Sequence, residues 1–205
     1  MIPASTFGVL SEYLQARAGF SASDLQTVRG AFLYRHLEAG AFLQRAGDVA
    51  RHAAFVARGC LRSYTIDPKG KEHIVQFAAD TWWLADSASL RDRTPSAYFV
   101  DAIEDSDLLL IDTPSHIRLV EAVPGYAAAF RDGLQRHAAA KDERIVSALS
   151  STAENRYLQF LRAYPAIAQR VPQTMLASYL GMTPETISRI RRRLASARRE
   201  SGEAT

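Results

Sequence analysis

Hydrophobic positions along the chain change period twice. In residues 1–29, Phe7, Leu10, Tyr13 and Leu14 recur at three to four, which predicts one or two short helices. Ser21 and Ser23 are placed to cap a second helical stretch over 20–28. From Ala31 to about Asp112 the pattern shortens to strand-like pieces at 41–45, 53–56, 61–66, 73–77 and 108–111, with glycine or proline between them. Asp67-Pro68-Lys69-Gly70, between two of these pieces, predicts a hairpin. Several short strands at this spacing predict a small antiparallel barrel or jelly roll. Helical spacing then returns. Pro124 opens a long helix in which Tyr126, Phe130, Leu134, Ala138, Lys141, Ile145 and Leu149 form one narrow stripe. Over about 24 residues, about 36 Å, such a stripe is the seam of a coiled coil, interrupted here by Lys141 and nearby His137. The alternative is a helix that packs only on its own barrel. Residues 151–169 read as a connecting helix with Tyr157, Phe160 and Leu161 apolar, ended by Tyr164-Pro165.

The densest information lies in 170–194. Pro172 suits the start of a helix, and Leu176, Ala177 and Leu180 give it an apolar stripe. Gly181 supplies the left-handed turn that ends it. Thr183 is an N-cap, Pro184 a first helical residue, and Glu185 favours the positive end of the helix dipole. In the second helix Ile187, Ile190 and Leu194 point inward, while Pro184, Glu185, Ser188, Arg189 and Arg192 share the opposite face. A helix-turn-helix presents its second helix to the major groove in this way. Arginine can hold guanine O6 and N7 together, and a carboxylate can accept from cytosine N4. Glu185 and Arg189, one turn apart, could also pair with each other. Thr183, Arg191, Arg192, Arg193, Arg198 and Arg199 are candidates for backbone phosphates. An arginine-rich solvated helix in an all-α bundle is the bland alternative.

Charge sharpens the picture. From Arg170 onward seven Arg face three Glu, a net of +4, whereas the whole chain carries +3. With 205 residues, 47% hydrophobic and 23% charged, the chain has room for one ordinary domain and a smaller one. No apolar run reaches the roughly 18–20 residues of a membrane span, and the start lacks the pattern of a signal peptide, so a cytoplasmic protein without a membrane partner is expected. A single cysteine, Cys60, forms no intramolecular disulfide, fits a reducing compartment, and cannot supply a four-cysteine iron–sulfur cluster. It reads as a small core residue, a reactive thiol being the alternative.

The stretch L-A-S-Y-L-G-M-T-P-E-T-I-S-R-I resembles the DNA-binding motif of the Crp/Fnr regulators, with its E-x-x-S-R pattern at Glu185, Ser188 and Arg189. Gly47-Asp48, Gly59, Gly70 and Ala102-x-Glu104-Asp105 resemble the cyclic-nucleotide-binding roll of the same family. The resemblance covers roughly residues 25–195. It implies an α+β fold: an antiparallel β-roll with N-terminal helices at 1–122, a dimerisation helix at 123–150, and a helix-turn-helix domain at 151–205. It also implies that Glu185, Ser188 and Arg189 read bases in a palindrome with half-sites resembling TTGA. The dimer would form along Tyr126, Phe130, Leu134, Ala138, Ile145 and Leu149. RNA polymerase would be a further partner. Pro184 stands where relatives often carry a residue able to touch a base. Many relatives continue into a β-hairpin wing. This chain instead closes on a polar Ser-Gly-Glu-Ala-Thr, read as a loose tail.

The resemblance breaks at the ligand. Family members that bind a cyclic nucleotide carry Gly-Glu at the start of a phosphate-binding cassette and Arg-Ser/Thr-Ala at its end. The corresponding stretches here are Trp82-Trp83-Leu84-Ala85-Asp86-Ser87-Ala88 and Thr94-Pro95-Ser96-Ala97-Tyr98. Without an arginine partner a buried phosphate loses its charge-assisted bonds. An effector pocket, if built, would draw on Trp82, Trp83, Asp86, Arg91, Arg93 and Ser96, with Arg91 or Arg93 replacing the missing arginine. The two tryptophans read otherwise as barrel wall. No cofactor is expected. Two rivals remain: a roll-type sensor acting through protein partners, and a cupin-like enzyme. The five histidines (His36, His52, His73, His116, His137) show no H-x-H or H-x-x-x-H spacing, and no nucleophile motif appears, so no catalytic activity is expected.

Overall fold

The computed structural model describes residues 1–202, with side chains through Ser196. Two helices lead. α1 (Ala4–Gln15) buries Phe7, Leu10 and Leu14. α2 (Ala22–Ala31) begins at Ser21, whose hydroxyl accepts the Asp24 N–H at 3.1 Å while the Asp24 carboxylate accepts the Ser21 N–H at 2.9 Å. This reciprocal cap satisfies two donors that a helix start leaves open.

Eight strands follow among the described residues. They are β1 (Leu33–Leu37), β2 (Phe42–Gln44), β3 (His52–Arg58), β4 (Leu61–Ile66), β5 (Glu72–Ala78), β6 (Trp83–Leu84), β7 (Phe99–Ala102) and β8 (Ser106–Asp112). A short helix, α3 (Ser87–Asp92), sits between β6 and β7. The strands form two four-stranded antiparallel sheets, ordered β1-β8-β3-β6 and β2-β7-β4-β5. The hairpin at 67–70 joins β4 to β5 as its turn residues predict. β1, β6 and β7 escape the sequence pattern. β6 has two residues, and β1 lies at an edge with Leu33, Arg35 and His36 all exposed, so neither alternates.

Between the sheets the roll is filled by Leu37, Val56, Leu61, Leu84, Val100, Leu108 and Leu110. β3 and β8 are also covered on their outer face, where Phe55, Leu109 and Ile111 meet α1, α2 and α4 (Thr113–Ala122). Burial on both faces explains why Leu108–Ile111 reads as an unbroken apolar run.

α5 (Pro124–Ser150) is one continuous helix of 27 residues. Its base is fitted closely to the N-terminal helices. A Cβ on Gly125 would lie 2.5 Å from the Gly19 carbonyl oxygen and 3.3 Å from the Phe20 ring, so only glycine permits this approach. The connecting helix breaks where expected: α6 (Ala153–Ala163) ends at Tyr164, and a short α7 (Pro165–Arg170) follows. α8 (Gln173–Leu180) and α9 (Pro184–Gly202) complete the chain. Ser201 and Gly202, expected in a loose tail, still belong to α9, because the basic helix meets no breaker before Gly202. Residues 203–205 lie outside the described residues. No described helix is long and apolar enough to cross a membrane.

A third apolar cluster joins the second sheet to the C-terminal helices. Tyr64, Ile74 and Phe77 of β4 and β5 pack with Tyr157, Phe160, Leu176, Ile187 and Ile190. The helix-turn-helix is thus seated against the roll.

Candidate nucleic-acid interface

α8 ends on Gly181, at φ 65° and ψ 42°. Its N–H donates to the Ser178 carbonyl at 3.2 Å, and the Met182 N–H donates to Ala177 at 2.9 Å, the paired closure of a Schellman turn. α9 then starts at Thr183, whose hydroxyl accepts the Thr186 N–H at 3.3 Å, with Pro184 in the first turn. Ile187 and Ile190 are buried beneath α9, and Leu194 packs against the same cluster. That fixes the rotation of the helix. Glu185, Ser188, Arg189 and Arg192 are left exposed on its far side.

The exposed groups differ in what holds them. The Glu185 carboxyl sits below the usual carboxylate range, held there by its own backbone N–H and by the Thr183 hydroxyl. The pairing open to Glu185 and Arg189 does not occur among the described ion pairs, and Glu185 turns back to the helix start instead. Arg193 is engaged by Glu154 of α6. Arg191 borders a groove of about 270 Å³ between α6, α7 and α8, lined also by Tyr157, Leu161 and Val171. Of the three arginines in sequence, Arg192 shares the reading face. The side chains of Arg198 and Arg199 lie outside the described residues.

The long helix divides its stripe. Phe130 is 40% exposed, Leu134 57%, Ile145 58% and Leu149 84%, and Val146 beside them is open as well. Ala138 is also exposed. Tyr126 requires correction as an interface residue. It is 1% exposed, packs among Phe55, Leu119 and Val123, and meets His116 Nδ1 through its hydroxyl at 3.0 Å. It belongs to the protomer's own core because the base of α5 is roofed by α4 and the N-terminal helices.

The six residues proposed for an effector pocket do not converge. Trp82 packs edge-on against Tyr164, with ring centroids 5.1 Å apart. Trp83 lies against Phe55 and Phe32, at 5.3 and 6.1 Å. The tryptophans are therefore wall residues, one beneath each set of helices. Asp86 caps α3 and accepts the Ser96 hydroxyl at 2.6 Å, while Ser96 accepts from Gln44 Nε2 at 2.7 Å. Arg91 is fully exposed and forks onto the adjacent Asp92. Arg93 closes α3 in a left-handed conformation, also exposed. A cavity of about 370 Å³ lies elsewhere, among Ile2, Arg29, Phe32 and Tyr34. Cys60 is buried in the apolar cluster beneath the helix-turn-helix, and burial pushes its thiol up to about 12. No group of three or more potential metal ligands is present among the described residues.

Two arginines important to this arrangement carry no sequence signal of their own. Arg170 bridges Asp80 and Glu104, which lie on two turns of the roll. Arg144 leaves α5 and bonds main-chain carbonyls of β5 and α8. Their partners stand 35 to 90 residues away, so no local pattern reveals them.

Comparison with known proteins agrees with the geometry. A family model described as the cyclic nucleotide-binding domain matches residues 34–122. The fumarate and nitrate reduction regulatory protein of Vibrio cholerae is 28% identical over 169 residues, 75% of this chain. The chain spans 65% of that relative's length. A protein of Rhizobium leguminosarum bv. viciae, named as a probable transcriptional activator, is 26% identical over 88% of this chain and 80% of its own. The solved catabolite activator protein of Thermus thermophilus shares the fold, with a TM-score of 0.54, 22% identity, and coverage of 87% of this chain and 85% of its own. A roll matched to the cyclic nucleotide-binding domain, a long helix and an outward-facing E-x-x-S-R helix follow one another in a single chain, an arrangement similar to that of the Crp/Fnr transcription regulators.

Proposed function

We propose that the chain is a DNA-binding transcription regulator that works as a homodimer on a palindromic site. The observation that carries this reading is the far side of α9, where Glu185, Ser188, Arg189 and Arg192 stand exposed while Ile187 and Ile190 anchor the helix beneath. Glu185, Ser188 and Arg189 read base edges, and Thr183, Arg191 and Arg192 contact phosphates, with Arg193 joining them if it leaves Glu154. Two heads on one palindrome need two-fold symmetry and half-sites about 34 Å apart. The open row of Phe130, Leu134, Ala138, Ile145 and Leu149 supports a dimer along α5. Such a regulator acts in the cytoplasm, with RNA polymerase as its further partner at a promoter.

The test is direct. The full chain is titrated against duplexes enriched from a random pool, at low and moderate salt. Saturable binding to a palindrome, weakening steeply with salt as released counterions require, is expected. Indifference to every duplex at low ionic strength ends the proposal.

The roll is not read as a receptor for cyclic AMP. Asp86 and Ser96 are already bonded to each other, and Pro95 occupies the position of the family's phosphate-binding arginine. Calorimetry with cyclic AMP is expected to show no heat of binding, and micromolar or tighter affinity would reverse this point.

A further inference from the structure

β5 is an edge strand of the second sheet, and an edge strand exposes main-chain groups that need partners. Here the partners are side chains. The Ser178 hydroxyl of α8 accepts the Ile74 N–H at 3.0 Å and donates to the Glu72 carbonyl at 2.9 Å. A bulge leaves Val75 without a ladder partner on β4: Ser63 pairs with Gln76, and Tyr64 with Ile74. The Val75 carbonyl accepts instead from Arg144 Nη1. Arg144 Nη2 donates to the Tyr179 carbonyl of α8 at 3.2 Å, with a longer approach of 3.4 Å to Ile74. The guanidinium also lies 4.0 Å from the Tyr179 ring centroid. One side chain therefore ties α5, the roll and the first helix of the helix-turn-helix together. Its neighbour Ile145 is part of the exposed row, about a quarter-turn away around α5.

We infer that Arg144 is a positioning residue that sets the distance between reading heads, and so specifies the spacing of half-sites in the operator. The inference rests on the dimeric DNA-binding reading above. A head cannot pivot about the seam without parting the guanidinium from carbonyls on two different elements. A planar fork suits this role better than an ammonium, which offers a point charge. Arg144 touches no base, so base preference should not depend on it.

The experiment measures affinity of the full chain for a panel of palindromes whose spacer differs by one or two base pairs, alongside single base swaps within a half-site. The unaltered chain is expected to prefer one spacer by about tenfold, the worth of one charged hydrogen bond. Arg144→Ala is expected to flatten that preference while base-swap penalties stay unchanged. Arg144→Lys, which keeps the charge and the stem, carries the test should Arg144→Ala fail to fold, and is expected to flatten it partly. Ser178→Ala probes the neighbouring contact independently. An unaltered spacer profile in folded Arg144 variants overturns the inference, as does a loss of base preference in step with spacing. If the unaltered chain binds no palindrome at all, the dimeric reading itself falls, and this inference with it.

Discussion

The arginines of α9 are chemically alike, and their neighbours make them different. Arg189 stands clear on the exposed face, whereas Arg193 is engaged by Glu154. Exposed pairs of that kind contribute at most about 1 kcal/mol, so Arg193 is restrained lightly and can be drawn away by a phosphate. Arg189→Ala should lose about 1–3 kcal/mol on the specific duplex and relax one base position. Arg192→Ala should weaken all sequences alike and lower the salt slope by about 1. Competition between specific and scrambled duplexes separates the two. Equal losses on both for Arg189→Ala would remove it from base reading. The outward placement of Arg189 and Arg192 was legible in the chain, because Ile187, Ile190 and Leu194 fix which face looks outward. The engagement of Arg193 was not, since Glu154 lies 39 residues away on another helix.

α5 shows how far periodicity reaches and where it stops. The stripe predicts the helix and its apolar side correctly, yet one spacing serves two purposes. Tyr126 belongs to the protomer core, and Phe130 onward stays open. Leu134→Asp should therefore shift a dimer to monomers in sedimentation equilibrium without unfolding the protomer. Tyr126→Ala should cost about 3–5 kcal/mol of protomer stability, as large aromatic truncations do. A dimer that survives Leu134→Asp intact would place its seam elsewhere. Beside Tyr126, burial holds the His116 imidazole below its usual range, and burial together with Lys141 does the same to His137. A histidine depressed in the folded state takes up its proton more readily when unfolded. Stability is then complete above the unfolded value of about 6.5 and falls as pH drops below it. Urea midpoints should decline from pH 7.5 to 5.5, and His116→Phe should shallow that decline. An unchanged slope would mean that His116 is not a contributor.

At the scale of the whole molecule, the order of roll, rod and reading head could be read from glycine placement and the arginine-rich end. The seating of the head on the roll could not, because the bond between Ile74 and Ser178 spans 104 residues. Tyr64, Ile74 and Phe77 share one apolar cluster with Ile187 and Ile190, so the roll and the head should melt together. Tryptophan fluorescence reports on Trp83 beneath the N-terminal helices and on Trp82 at the seat of the head, and far-ultraviolet ellipticity is weighted to the helices. The two should give coincident transitions, and separate midpoints would show that the cluster does not couple them. The fit of Gly125 against the Gly19 carbonyl has a mechanical outcome at the other end of the rod. With 27 residues α5 is a lever roughly 40 Å long. Adding a single methyl at its fulcrum would force the helix base away from the Gly19 carbonyl, and on a lever of this length each degree of tilt carries the far tip about 0.7 Å.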